Sequence, residues 1–332
     1  MRRWSTWPLL LGGLALVVLG ALSAWRWLDS RRPREVPILM YHRVAEVENS
    51  AWCVPSDIFE RQMQFLRQQG YTSILPADLA AHQRWGSPLP KRPIIITFND
   101  GFRDCLTIAE PILRQYGLRA IVFLITDDSG HAPEERRQFE GTDCLTWAEV
   151  HQARQRGTLA FGAHAHPHQN LSAAPNPLEL TKASRKQIIR YGRFIPDAFS
   201  YPGGQYNERA IEAVRQAGFG TAVGCVNAVA RTGRELNLLA LPRVSVMGGR
   251  HRYQVARVPE EETDGEVIFR VRHEGIPIEV TPCLKSAAGA SWLPPQVLKN
   301  GTEAEWRWTQ AGNDQALQLE LWDRCRILPL YP

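Results

Sequence analysis

The body of this 332-residue chain has almost no excess charge. The formal net charge is +5, from 39 lysines and arginines against 34 acidic residues. Residues 1–35 alone hold six arginines and two acidic residues, which is a charge of +4, so the remaining 297 residues carry only +1. A protein whose folded body binds nucleic acid concentrates its basic residues on that body. The charge distribution therefore argues against a nucleic-acid partner.

The chain also lacks internal repeats, long low-complexity tracts and paired cysteine motifs. Its six cysteines show no C-x-x-C spacing, which argues against a cysteine-based zinc site. Outside the cytosol, Cys283 and Cys325 could form a disulfide between two strands. With 44% hydrophobic and 22% charged residues, the composition is that of a globular protein. The length favours one large domain and one smaller domain.

A long uncharged stretch is present near the amino terminus. Residues 7–25 read WPLLLGGLALVVLGALSAW, with arginines on both sides and a tryptophan at each end. As a helix this stretch spans about 28 Å, close to the roughly 30 Å hydrocarbon layer of a membrane, and tryptophans favour the membrane interfaces. We predict a transmembrane anchor within residues 1–28 and a linker at 29–35. A cleaved signal peptide, ending near Ala21-Leu22-Ser23, and a buried core helix are the alternatives.

Strand and helix signals then alternate over residues 36–249. The predicted strands are residues 36–41, 93–98, 120–125, 159–163 and 199–201. The predicted helix caps are Ser56, Thr146, Asn176 and Asn207. This alternation predicts a parallel α/β domain, either a barrel or an open sheet, with its working site beyond the carboxyl ends of the strands.

The pattern changes after residue 249. Apolar residues alternate at Val267, Phe269 and Val271 and again at Leu317, Leu319 and Leu321, with turn residues between the runs. A period of two is typical of antiparallel strands. We predict a small β-rich module at residues 250–332, either a sandwich or a sheet packed on the main domain.

Side chains that can perform chemistry follow three of the predicted strands. Asn99 and Asp100 follow PIIITF, and the sequence His164-Ala-His166-Pro-His168 follows the strand at 159–163. Tyr201-Pro-Gly203-Gly follows the short strand at 199–201. One carboxylate and two imidazoles, with a position left open for water, are the ligand set of a hydrolytic metal site. The histidine cluster therefore indicates metal binding.

Eight segments occur in this order along the chain: VPILMYHRV at 36–44, SDIFERQMQFLRQQGY at 56–71, LPKRPIIITFNDGFRD at 89–104, PILRQYGLRAIVFLIT at 111–126, LTWAEV at 145–150, FGAHAHPHQNL at 161–171, FSYPGGQYN at 199–207 and LPRVSV at 241–246. Together, they resemble polysaccharide deacetylases of the NodB-homology type, carbohydrate esterase family 4. Several motifs in a fixed order are much more specific than one motif. The resemblance covers residues 36–246 and excludes the predicted anchor and the β-rich module.

The resemblance implies a distorted (β/α) barrel that removes acetyl groups from sugars with a divalent metal. Its metal ligands fall on Asp100, His164 and His168, with zinc favoured over cobalt or nickel. Tyr201 and the backbone around Gly203 are implied to bind substrate and to polarise the acetyl oxygen.

The sequence departs from the family pattern at the base. The usual general base is an aspartate, and its position here is Asn99, which cannot accept a proton. Ser200 takes the position of the arginine that usually steadies that base, and the late acidic and histidine motifs are not evident. His166, His42 and Asp104 are the candidates for a replacement base.

We therefore expect a membrane-anchored, exported, metal-dependent N-deacetylase of an amino-sugar polysaccharide. An exopolysaccharide is favoured over peptidoglycan, and the partners are the acetylated glycan and the membrane. The catalytic domain is expected outside the cytoplasm because of this glycan chemistry, since arginines on both flanks of residues 7–25 leave the orientation open. A catalytically silent member that binds glycan is the main alternative, and hydrolysis of a non-sugar amide is a third.

Overall fold

The structure is a computed structural model, and it describes most of the chain after residue 32. The described residues are Gly20, 33–47, 50–126, 135–248, 252–263, 266–274, 277–286, 289–299, 301–309 and 317–330. Apart from Gly20, the predicted anchor at residues 7–25 lies outside the described residues. Within the described ranges, no helix combines the length and the apolar character needed to cross a membrane.

Seven parallel strands form a closed barrel. In chain order they are β1 (Ile38–Tyr41), β2 (Pro93–Phe98), β3 (Ala120–Leu124), β4 (Leu159–Ala163), β5 (Ala198–Ser200), β6 (Thr221–Asn227) and β7 (Leu241–Ser245). Each strand pairs in parallel with the next, and β7 closes the ring against β1, where Val244 lies opposite Leu39. The pair Ala163 and Phe199 alone joins β4 to β5, so the ring is distorted there. The predicted barrel is confirmed, and an open sheet is ruled out.

Short strands extend or border this ring. They are Glu35–Val36, Arg43–Val44, Cys53–Val54, Thr72–Ser73, Gln138–Phe139, Thr142–Asp143 and Ala230–Arg231. The strand at 138–139 and the strand at 142–143 form a hairpin that borders the cavity described below.

Helices connect the barrel strands. The α-helices of the described residues are α1 (Ser56–Gln68), α2 (Pro76–Trp85), α3 (Glu110–Gln115), α4 (Trp147–Arg156), α5 (Pro177–Gln187) and α6 (Glu208–Gln216), with π-helical turns at Cys105–Ala109 and Ile188–Gly192. The side chains of Thr146 and Asn207 accept hydrogen bonds from backbone N–H groups three residues ahead, as predicted for N-caps. The predicted cap at Ser56 is wrong, because Pro55 precedes the helix and the Ser56 hydroxyl donates to Glu46 instead.

Alternate residues of each barrel strand face the same side of the sheet. One set packs outward against the helices, as Phe98 does against Phe59. The other set forms an apolar cluster whose members include Ile38, Ile95, Ile121, Val223 and Leu241. Further toward the carboxyl ends of the same strands, the residues on this same side are polar, and they are also buried. The polar layer contains Thr97, Asn99, Ser200 and Arg243.

The described residues from 252 to 330 are β-rich, as the apolar alternation predicts. Their strands are β8 (Arg252–Arg257), β9 (Glu266–Glu274), β10 (Ile278–Ser286), β11 (Gly289–Trp292), β12 (Gln296–Leu298), β13 (Thr302–Thr309) and β14 (Gln318–Asp323). Strands β8, β9 and β13 form one antiparallel sheet, and β10, β11, β12 and β14 form another. One apolar cluster joins Phe269 and Trp306 of the first sheet to Val280 and Leu321 of the second. The two sheets therefore form a small sandwich.

The predicted disulfide between Cys283 and Cys325 is wrong. Both thiols are free, and Cys283 lies opposite Glu320 in the sheet. Cys325 lies past the end of β14, where its sulfur is 3.8 Å from Oδ1 of Asn227 in the barrel. The chain after β14 turns toward the barrel, where Leu328 joins the main core, and this turn separates the two sulfurs.

Candidate metal centre

Asp100, His164 and His168 converge at the carboxyl ends of β2 and β4. The Asp100 Oδ1 atom lies 3.3 Å from Nε2 of His164 and 3.8 Å from Nε2 of His168. One potential ligand atom from each residue lies within 4.8 Å of the other two. Asp100 and His164 are buried, while His168 is partly open to solvent. The three residues that the sequence indicates as ligands are thus brought together.

The hydrogen bond that His164 makes through Nδ1 favours a cation between its other nitrogen and Asp100. Its Nδ1 is 2.7 Å from the backbone oxygen of Ser200, and a carbonyl oxygen can only accept, so Nδ1 carries the proton. In a neutral imidazole the other nitrogen, Nε2, then directs a lone pair at the Asp100 carboxylate. Two acceptors at 3.3 Å repel each other unless a proton or a metal ion lies between them. The donor set and the carbonyl that orients His164 fit a divalent metal ion.

Asp100 takes an unusual backbone conformation that directs it into this cluster. Its φ of 70° lies in the left-handed region, which non-glycine residues rarely adopt. The next residue is Gly101, also left-handed at 76°, where an added Cβ would lie 2.9 Å from the Leu124 side chain. Burial raises the pKa of Asp100, but the interactions with the His164, His42 and His168 imidazoles outweigh burial, so the net pKa lies below its usual value. The carboxylate is therefore held in its charged form.

Asn99, at the end of the same strand, has its amide oriented by two donors. Its Oδ1 accepts hydrogen bonds from Nη1 of Arg243 at 2.8 Å and from the hydroxyl of Ser200 at 3.1 Å. Because Oδ1 faces these donors, the NH₂ group must face the opposite way, where Nδ2 lies 3.4 Å from Nε2 of His42. Asn99 consequently acts as a hydrogen-bond donor at this point and offers no basic atom.

Arg243 is the residue of this site that the sequence analysis missed. It is completely buried on β7, and it also donates to the backbone oxygen of Gly224 and to the hydroxyls of Thr97 and Ser200. The arginine that contacts Asn99 in this chain comes from another strand, and it also donates to the Ser200 hydroxyl. An arginine in the middle of the apolar segment LPRVS was the available signal, since a charge in a buried strand needs partners.

A cavity of about 510 Å³ opens over these residues. Its wall includes His42, Trp52, Asn99, Asp100, His164 and His168. Burial lowers the pKa of His42 to about 4, even though the Asp100 carboxylate raises it. His42 is therefore a neutral imidazole at neutral pH, with its Nε2 lone pair facing Asn99.

Of the two predicted substrate-binding residues, Gly203 lines the cavity and the Tyr201 side chain does not. Gly203 lines the cavity with a φ of 65°. The Tyr201 side chain is fully buried, and its hydroxyl donates to the backbone oxygen of Leu239 at 2.8 Å. The prediction that Tyr201 contacts substrate is therefore wrong for its side chain, because Ser200 faces inward and the next residue faces the opposite side.

The other two candidates for the base lie outside the cavity wall. Nδ1 of His166 is 3.2 Å from the hydroxyl of Thr126, and His166 is not among the residues that line the cavity. Asp104 accepts a hydrogen bond from Nε of Arg43 at 2.8 Å, and it also does not line the cavity. Both positions favour structural roles, so His42 is the candidate base that reaches the site.

Comparisons with known proteins find similarity to polysaccharide deacetylases. Residues 86–222 match the family model described as polysaccharide deacetylase. YxkH of Bacillus subtilis (strain 168), whose name marks it as a proposed polysaccharide deacetylase, is 27% identical over 225 residues, covering 67% of this chain and 75% of that protein. The poly-beta-1,6-N-acetyl-D-glucosamine N-deacetylase of Staphylococcus aureus (strain MRSA252) is 27% identical over 192 residues, which cover 54% of this chain and 63% of that enzyme.

A solved structure supports the fold. The Streptococcus pyogenes deacetylase PplD, solved in complex with acetate, matches 65% of this chain and 93% of its own chain. The TM-score is 0.58 at 23% sequence identity. At that identity the match shows that the two chains share the barrel fold.

Proposed function

We propose that this chain hydrolyses the N-acetyl groups of an amino-sugar polysaccharide with the help of a divalent metal ion, in keeping with the match of residues 86–222 to the polysaccharide deacetylase family model. The observation that carries this proposal is the convergence of Asp100, His164 and His168 at the base of one cavity. Zinc suits two imidazoles and one carboxylate, and cobalt and nickel are alternatives.

We further propose an exopolysaccharide as the substrate, in preference to peptidoglycan. The Staphylococcus aureus relative is named for a β-1,6-linked polymer of N-acetylglucosamine. The near-neutral body of this chain suits a neutral acetylated polymer better than a polyanion. Export, and anchoring through residues 7–25, belong to the same proposal, because such a polymer lies outside the cytoplasm.

The residues around the cavity have separate roles in the proposed amide hydrolysis. A divalent ion held by Asp100, His164 and His168 would polarise the acetyl carbonyl and acidify a water molecule. His42 takes the proton of the attacking water on Nε2, and the long 3.4 Å contact with the Asn99 amide, which holds that lone pair before the reaction, breaks as the proton is transferred. The water oxygen first bonds to the acetyl carbon, and the C–N bond then breaks as the proton passes from His42 to the departing amine nitrogen. Acetate and a free amino sugar result.

The network behind Asn99 positions the base. Arg243 and Ser200 fix the amide of Asn99, and Asn99 in turn presents its N–H to His42. This contact selects the tautomer of His42 with the proton on Nδ1 and the lone pair on Nε2. The asparagine thus orients a base that it cannot itself provide.

A second candidate function is glycan binding without catalysis. The observation that favours it is Asn99, because the usual carboxylate base is replaced by a neutral amide. The cavity and the metal cluster would then hold the acetylated sugar without hydrolysing it.

Acetate release decides between the two functions. The 332-residue chain, purified in detergent and stripped with a chelator, is loaded with Zn²⁺, Co²⁺ or Ni²⁺ and incubated with β-1,6-linked N-acetylglucosamine oligomers or peptidoglycan fragments. We expect metal-dependent release of acetate and free amine from the oligomers, and its loss in His164→Ala. Binding of the oligomers without acetate release under any metal would instead support the silent alternative.

A further inference from the structure

Trp52 is a large apolar side chain left open at the wall of the cavity. Half of its surface is exposed, at 50%, and it lines the same cavity as the metal cluster. Single exposed apolar residues are common on protein surfaces and need no function by themselves. The position of Trp52 differs from that general case, because ligand cavities use aromatic side chains to hold ligand rings.

The backbone around Trp52 is fixed on both sides. The backbone N–H of Arg43 donates to the oxygen of Trp52 at 3.1 Å, and the N–H of Gly248 donates to the oxygen of Ala51 at 2.8 Å. A Cβ added at Gly248 would lie 2.4 Å from the backbone oxygen of Cys53, so only glycine allows this close approach. The indole is therefore presented by a supported segment, which lowers the entropy lost when a ligand binds to it.

Trp52 is linked to the metal centre through one residue. Its ring lies 4.6 Å from the ring of His42, and His42 lies 3.4 Å from the Asn99 amide, next to Asp100. A ring placed on the open face of Trp52 would thus lie beside the reacting group rather than at the metal. That is the place of a neighbouring sugar in a polymer.

We propose that Trp52 is the binding platform for the sugar ring next to the one that is deacetylated. The apolar C–H face of a pyranose covers the exposed indole, which removes apolar surface of both partners from water. This inference rests on the proposed function, and it assigns the enzyme a preference for oligomers and polymers over single sugars. Trp52 is a specificity-determining residue in this reading, and the chemical step belongs to the residues at the metal.

The test compares two exposed tryptophans in the metal-loaded 332-residue chain. Trp52→Ala removes the proposed platform, and Trp52→Phe keeps a smaller aromatic face. Trp85→Ala is the matched control, because Trp85 ends α2 with 76% of its surface exposed and does not line the cavity. Steady-state kinetics use a β-1,6-linked N-acetylglucosamine pentamer and 4-nitrophenyl acetate, which carries no neighbouring sugar. Pentamer binding is also measured by calorimetry, which needs no turnover.

We expect Trp52→Ala to lower kcat/KM for the pentamer about tenfold more than kcat/KM for 4-nitrophenyl acetate, because the lost packing against His42 affects both substrates and the lost platform affects the pentamer alone. The Kd for the pentamer should rise about tenfold. Trp52→Phe should show a smaller change than Trp52→Ala, and Trp85→Ala should match the parent chain. If the parent chain deacetylates the pentamer and Trp52→Ala behaves like Trp85→Ala, the platform is refuted and the proposed function stands. If the parent chain releases no acetate but binds the pentamer through Trp52, the platform stands and the catalytic function fails. A parent chain that neither binds nor hydrolyses the pentamer overturns both.

Discussion

Arg243 donates a hydrogen bond from Nη1 to Oδ1 of Asn99 at 2.8 Å, so a fully buried cation is bound to a neutral amide. Within the described part of the chain, its other hydrogen-bond partners are a backbone oxygen, two hydroxyls and a thiol, and none is a carboxylate. A buried charge is most stable when it is paired. A carboxylate at position 99 would therefore be neutralised by Arg243 and oriented by the hydrogen bonds from Arg243 and Ser200.

The first prediction follows from that pairing. Asn99→Asp places a carboxylate beside Arg243 and at the end of the His42 contact, so the site gains a second proton acceptor. We expect kcat for acetylated oligomers to rise at least about tenfold, since a positioned general base contributes about 10²–10⁴ in rate. Asn99→Ala is the control, because it removes the acceptor of Arg243 without adding a base and should lose activity. A rate for Asn99→Asp equal to or below that of the parent chain would contradict this assignment.

The second prediction is that His42 is needed for turnover and not for metal binding. His42→Ala removes the imidazole that faces Asn99, and we expect kcat to fall by about 10²- to 10³-fold. The metal content, measured by elemental analysis, should remain that of the parent chain, because His42 is not one of the three clustered ligands. In the Asn99→Asp background the same substitution should lower kcat much less, since the new carboxylate can accept the proton. Loss of metal from His42→Ala would show that its role lies in the metal site.

The histidine cluster gives a third prediction with a control from its own loop. His164→Ala removes a buried ligand atom that lies 3.3 Å from the Asp100 carboxylate, so both bound metal and activity should be lost. His166→Ala should keep the metal and most of the activity, because the His166 ring contacts Thr126 instead. Equal metal loss in both variants would mean that His166 also binds the ion. An active His164→Ala with full metal content would refute the assigned site.

The sequence predicts the barrel and its metal cluster because both depend on local patterns. The runs PIIITF and LAFGA are uninterrupted apolar strands, and the structure gives both of them the predicted bounds, Pro93–Phe98 and Leu159–Ala163. The carboxyl ends of parallel strands meet at one end of a barrel. Asp100 and His164 were therefore expected at the same end of the domain, and the resemblance to the deacetylase family supplied their pairing as ligands.

Contacts across the barrel were not predictable in the same way. Arg243 reaches Asn99 from 144 positions away, and the strand order that brings β7 close to β2 cannot be read from either segment. The error at Tyr201 has a simpler cause. Residues alternate between the two sides of a strand, and a three-residue strand is too short to show from its sequence which residue faces inward. Ser200 faces the site, and Tyr201 packs against the core.

The last prediction concerns stability at acid pH and lies outside the cavity. Glu149 belongs to the first turn of α4, where it accepts hydrogen bonds from two guanidinium nitrogens of Arg136 at 2.7 and 2.9 Å and from Nε of Arg103 at 2.9 Å. Burial raises the pKa of Glu149, but these hydrogen bonds outweigh it and lower the pKa to about 2, from an ordinary value of 4.5. A carboxylate with a lowered pKa stabilises the fold when it is charged.

Glu149→Gln keeps the shape of the side chain and removes its charge. At pH 7 we expect the free energy of unfolding to fall by about 1–2 kcal/mol relative to the parent chain. The stabilisation is fully present above pH 4.5 and is lost as the pH falls toward 2, so the difference between the two chains should shrink across that interval. Urea unfolding of both chains at several pH values measures it. Glu212→Gln, which changes an exposed carboxylate paired with Arg215, should leave the stability nearly unchanged. A Glu149→Gln difference that stays constant from pH 7 to pH 3 would show that the ion pairs with Arg136 and Arg103 do not stabilise this fold.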